Sequence, residues 1–173
     1  MDNTKLIDAS KDLLTRVLAF FPRVDNVSSV LLGVNLGMLA LLANKTLPFK
    51  FYDWQIYLAV VPALLIGGSL YHLFRGYFPR LEGGPLSLIY FREIAQRKET
   101  EFIEGFRAQT EEAYVNDLLN QAWRNSQILT QKFNHLSKAF VFLAWAIIPW
   151  LIALAILTAR TAETTTQAVT KSI

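Results

Sequence analysis

Chemistry in this chain, if there is any, has to come from a small set of side chains between residues 90 and 132. Arg92, Arg97, Lys98, Arg107, Arg124 and Lys132 accompany Tyr90, Phe91 and Trp123, with Asn125 beside Arg124. Guanidinium groups can grip a phosphate through two parallel N–H donors, and aromatic faces can stack on a base. Arg92, Arg97, Arg124, Trp123, Asn125 and Lys132 are therefore the candidate ligand-binding set, for an anionic, phosphate-bearing ligand. The other reading of the same residues is a solvated charged face with core aromatics among it. Catalysis finds no comparable set. The chain has no cysteine, and His72 and His135 stand far apart in sequence, each beside an expected membrane boundary. No phosphate-cradling P-loop, dinucleotide fingerprint or nucleophile elbow occurs. Glu99, Glu101, Glu104, Glu111 and Glu112 are interleaved with bases, as on a solvated surface. No catalytic residue, metal site or cofactor is expected.

The elements that would position these residues are read from the hydrophobic pattern. Tyr114, Leu118, Ala122, Leu129, Phe133 and Leu136 recur at helical spacing, and no glycine or proline intervenes before Lys138. From Ala139 the charges cease until Arg160, a run long enough to cross a hydrocarbon core of about 30 Å. One continuous helix of about 50 residues is the simplest expectation, joining a water-exposed half to a third membrane span at 139–160. Pro149 lies near the middle of that span and is a candidate hinge.

Two further charge-free blocks precede it. The first span is expected at about 27–43 and carries Gly33, Asn35 and Gly37; the glycines would let another helix approach, with the amide bonding across the contact. Asn35 could instead line a pore. The second span, about 54–74, starts at Trp54, contains the candidate hinge Pro62, and spaces Ala59, Ala63 and Gly67 four apart as a small-residue seam. These two spans make a transmembrane hairpin over residues 26–75. Residues 1–25 form an amphipathic helix that Pro22 should stop, packing on the base of the bundle or lying flat on the bilayer. Residues 76–138 form a helical region in which Ser87 should cap a helix through Arg97, followed by a brief helix at about 100–106. The Thr-rich residues 161–173 lack a periodic pattern and should be disordered.

Composition agrees with this layout: 53% of the 173 residues are hydrophobic, and the net charge of +3 is too small to indicate nucleic-acid binding. The first 25 residues lack the apolar core and cleavage site of a removable signal peptide. Of the 17 Lys and Arg residues, four lie before the first span and nine between Arg75 and Lys138, so the N-terminus and residues 76–138 should be cytoplasmic. The expected fold is an all-α membrane protein with three spans and a cytosolic helical region. The small soluble core favours packing between subunits, hence a homo-oligomer.

The order of elements, with Leu88-Ile-Tyr-Phe-Arg-Glu-Ile-Ala95, then Asp117-Leu118, then Asn125-Ser-Gln-Ile-Leu-Thr-Gln-Lys-Phe133, resembles the Pycsar-type transmembrane effector family. These are small bacterial antiphage proteins that respond to cyclic pyrimidine mononucleotides made by a partner cyclase. The resemblance implies a non-enzymatic effector in the bacterial inner membrane, acting on membrane lipids in abortive infection, with cyclic UMP or cyclic CMP as signal. A membrane scaffold that recruits a partner through its cytosolic helices is the alternative. One position departs from the family pattern. Many relatives have Asp followed two residues later by Lys before the first span, whereas Asp25 is followed by Asn26 and Val27. Any role of that lysine must be absent or moved.

Overall fold

The computed structural model describes residues 2–46, 54–78 and 86–171, without the side chains of 55, 161 and 163–171. The helices are α1 (Asn3–Leu18), α2 (Phe21–Thr46), α3 (Tyr57–Tyr77), α4 (Phe91–Ala95), α5 (Glu99–Ala108) and α6 (Glu111–Lys171), and no strand occurs among the described residues. Three helical stretches are long and apolar enough to cross a membrane, within 3–46, 57–77 and 111–160. The protein is an all-α chain of the three-span type. Pro48, in the first expected loop, lies outside the described residues.

Several boundaries differ from expectation for identifiable reasons. Pro22 does not end a helix; it is the second residue of α2, where the first-turn N–H it lacks would have had no helical partner. α1 ends instead in a tight turn, with the Ala19 amide donating to the Thr15 carbonyl and the Phe20 amide to that of Val17. α2 accordingly starts six residues before the expected span. Ser87 caps no helix either. Its hydroxyl oxygen accepts from the amides of Ile89 and Tyr90, closing a local turn, and α4 begins only at Phe91. At the other end, α6 stays helical through Lys171, contrary to the expectation of disorder. A helix already nucleated extends at little cost, and neither glycine nor proline follows Pro149.

The chain divides into two compact units. One comprises residues 1–25 and 78–133, the other 26–77 and 134–173, so α6 contributes to both. In the first unit, Leu14 of α1 is buried with Leu118 and Ala122 of α6, flanked by Ile89 and Tyr114. That contact seats one face of α1, while Leu6, Leu13 and Leu18 remain exposed.

In the second unit α2, α3 and α6 form one core. Leu31, Met38, Ile66, Leu73, Ala139, Leu143 and Ala146 make its main cluster; Leu42, Ala59, Ala153 and Leu157 make a second. Its outer surface is apolar, with Val30, Leu36, Leu64, Phe140, Trp145 and Ile148 all exposed. An apolar surface over an apolar core suits lipid as solvent. Among the described glycines the tightest surroundings are at Gly68, where an added Cβ would stand 2.7 Å from the Phe142 ring. Gly33, Gly37 and Gly67 have nothing within 4 Å of such a Cβ. The glycine that lets two helices of this chain meet is thus Gly68, one position past the expected seam.

Candidate functional site

The first unit holds all the candidate ligand-binding residues, and the structure disposes of them unequally. Arg92 is exposed on the five-residue helix α4. Arg97 follows that helix, and its Nη2 donates to the Leu86 carbonyl at 2.8 Å, so part of its donor fork already serves the chain. Trp123 is 61% exposed, a large apolar face left on the surface of α6. Arg124 beside it is half-buried, and Asn125 turns its amide back to the Gln121 carbonyl at 2.8 Å. Lys132 is the exception. It is buried, its Nζ lies 2.6 Å from Oδ1 of Asp25, and it stands 5.6 Å from the centre of the Phe21 ring.

No lysine stands two residues after Asp25, but one reaches it from 107 residues away on α6. The Lys132 side chain is 10% exposed and Asp25 42%, so the pair is buried at its lysine end and open to water at its carboxylate end. A charge this buried requires a partner, because removing one leaves the other desolvated and uncompensated. By residue type Lys132 belongs with the possible phosphate ligands; in this structure a carboxylate occupies it.

The family-like residues prove to be joined. Asp117 Oδ2 accepts from the Leu88 amide at 2.9 Å, and Gln121 Nε2 donates to the Ser87 hydroxyl at 3.2 Å. Two side chains one turn apart on α6 therefore hold the turn that leads into α4. Tyr90, next in that segment, keeps its hydroxyl buried without a hydrogen-bond partner. Clefts of about 370 and 330 Å³ open beside α1 and the start of α6, lined by Ile7, Glu111, Glu112 and Tyr114 among others. None of the six candidate residues lines either cleft, and Glu111 and Glu112 would repel an anion from the larger one.

In the second unit the two histidines, separate in sequence, come together. Their Nδ1 atoms are 3.3 Å apart, in hydrogen-bond reach when one ring carries its proton there. The His72 ring also lies 5.4 Å from that of Phe142. No group of three or more metal-ligating side chains occurs among the described residues. A separation of 63 positions between the histidines, on different helices, leaves no signal for sequence reading to use. Asn35 is also placed differently from expectation. Gly33 and Gly37 face outward, while Asn35, about half a turn away, is fully buried inside the bundle.

No curated protein and no solved structure matches the chain. The comparison with protein families does give a match: residues 9–159 fit PycTM, the Pycsar effector protein domain. The matched segment takes in the Ser87–Asp117–Gln121 junction, the Asp25–Lys132 pair and all three apolar spans. The chain belongs to the Pycsar effector family, a multi-pass membrane protein of antiphage defence.

Proposed function

We propose that the protein is a non-enzymatic effector that permeabilises the bacterial inner membrane when a cyclic mononucleotide, cyclic UMP or cyclic CMP, is produced in the infected cell. The family match carries this reading, and its physical support is α6. One unbroken helix contributes residues 111–133 to the unit that holds the candidate anion-binding groups and residues 134–171 to the apolar unit. A ligand that binds one arrangement of such an element more tightly shifts its equilibrium by that difference, tenfold for about 1.4 kcal/mol. Charged hydrogen bonds to a phosphate, worth about 1.5 to 3 kcal/mol each, are sufficient.

Arg92 and Trp123, exposed on the surface, lead the ligand set together with the half-buried Arg124; Arg97 and Asn125 assist, and Lys132 would first have to exchange Asp25 for the ligand. Pro62 and Pro149, inside α3 and α6, each lack one backbone N–H donor and are the places where the spans can bend. The outward Gly33 and Gly37 serve contacts between copies in a homo-oligomer, where small residues let helices approach.

Purified protein in dye-filled liposomes tests the reading. Cyclic UMP or cyclic CMP should release dye from wild-type liposomes. Arg124→Ala should still insert but require at least tenfold more nucleotide for half-maximal release. If neither nucleotide binds or releases dye, direct sensing is wrong. A stable stoichiometric protein partner without leakage would favour the scaffold alternative instead.

A further inference from the structure

The bundle of the second unit buries polar atoms that it does not satisfy. Asn35 on α2 and Ser69 on α3 are both 0% exposed. The Asn35 Nδ2 donates back to the Leu31 carbonyl of its own helix at 2.7 Å, which leaves Oδ1 with no partner; Ser69 Oγ has none either. In hydrocarbon surroundings such groups are costly, since neither water nor lipid can pair with them. They also lie at nearly one depth. Ser29 and Tyr77 meet at 2.6 Å across the antiparallel α2 and α3, which sets residue 71 opposite Asn35. Ser69 is two positions on, about 3 Å along the axis.

Their surroundings are the main packed cluster: Asn35 falls between Leu31 and Met38 on α2, and Ser69 between Ile66 and Leu73 on α3. α6 contributes Ala139 and Ala146 to that cluster, both fully buried and both small. One turn past Ser69 stands His72, bonded to His135. Asn35 and Ser69 are thus polar groups fully inside a bundle whose outside is apolar, with the half-buried histidine pair beyond them. A structure that only needed cohesion could place leucine and alanine at positions 35 and 69 at no cost in hydrogen bonds.

We infer that Asn35 and Ser69 line the path by which water and small solutes, a trapped dye among them, cross when the bundle loosens, and that their unpaired oxygens are satisfied by water in that state. This rests on the permeabilising reading and adds where the passage runs: through the interior of one three-helix unit, rather than along the glycine face of α2 between copies. In the packed state the surrounding Leu31, Met38, Ile66 and Leu143 keep the passage dry.

The absence of cysteine makes the test direct. Ser69→Cys, nearly isosteric, and Leu36→Cys, on the exposed face of α2, are each reconstituted in dye-filled liposomes. A charged, membrane-impermeant methanethiosulfonate is added with and without cyclic UMP or cyclic CMP. The expected result is that the thiol of the Ser69→Cys variant is modified only with the releasing nucleotide, at least tenfold faster than without it, and that Leu36→Cys is not modified in either state. Dye release with position 69 unmodified would overturn the interior path and leave the permeabilising reading intact. No dye release from the wild-type protein would overturn both. Should Ser69→Cys release dye too slowly to label, Asn35→Leu decides. A path-lining role predicts at least tenfold slower release with thermal stability in detergent unchanged or raised, because an orphan acceptor has gone. Lowered stability with an unchanged release rate would make Asn35 a structural residue and overturn the inference.

Discussion

At the scale of single residues, the pairing of Asp25 with Lys132 shows how one charge constrains another far along the chain. Lys132 is nearly buried, so its ammonium depends on the carboxylate 2.6 Å away. Asp25 is less buried and loses less when its partner is removed. Asp25→Ala should therefore be the more damaging change, at about 2 to 3 kcal/mol. That is below the roughly 3 to 5 kcal/mol of fully buried pairs, because water can still reach part of the site. Lys132→Met keeps the stem's packing without the charge and should cost less than Asp25→Ala. Combining the two should recover part of the loss, since no buried charge is then left alone. Unfolding of the four proteins in detergent, read as a double-mutant cycle, measures this. A neutral Asp25→Ala would mean that the Lys132 ammonium is held by other groups.

At the scale of helices, close approach is governed by where a Cβ would collide. Gly68→Ala would drive a methyl to 2.7 Å from the Phe142 ring, and the ring must move or α3 and α6 must separate. Overpacking of this kind costs about 1 to 3 kcal/mol. Phe142→Leu in the same chain should relieve it, and Gly67→Ala, whose added Cβ has nothing within 4 Å in the chain, should not lower the midpoint of thermal unfolding in detergent. An unchanged midpoint in Gly68→Ala would mean that the ring swings aside freely. This glycine marks the limit of what is legible in the sequence. The three apolar spans and the long last helix follow from period and charge, because burial in lipid or against a helix stripe imposes those patterns directly. Which face of a span points inward does not follow when the whole span is apolar. Gly67 and Gly68, or Gly33 and Asn35, cannot be ranked without knowing which side α6 covers. The same holds at the ligand candidates. Arginine and aromatic types suggest a site, but the Asp25 carboxylate that occupies Lys132, and the Leu86 carbonyl that occupies Arg97, come from tertiary contacts that leave no mark on local spacing. Pro22 departs from expectation for a different reason, since the same missing donor that breaks a helix interior is harmless in its first turn.

At the scale of the whole molecule, three apolar helical stretches leave the two ends of the chain on opposite sides of a bilayer if each crosses once. Lysine and arginine near the span ends decide the sense, and only those within about 15 to 20 residues count fully. Lys5, Lys11, Arg16 and Arg23 precede the first span; Arg75, Arg80 and Arg92 follow the second, and Arg124, Lys132 and Lys138 precede the third. The opposite side receives Lys45 and Lys50 from the first loop and Arg160 and Lys171 from the tail. The bias falls on one side at two separate segments, which is the alternation that three crossings require. On that bias the candidate anion-binding groups should face the compartment where a nucleotide made inside the cell would be found. The helical continuation of α6 to Lys171 does not alter this, since both bases of the tail are already counted on the sparse side. A reporter that works only in the periplasm should therefore be active when fused after Ile173, and one that works only in the cytoplasm should be active at the N-terminus. A fusion after Ile173 active only in the cytoplasm would mean that one stretch lies on the membrane or inserts and returns. The lever from soluble unit to membrane would then have to be sought in a helix other than α6.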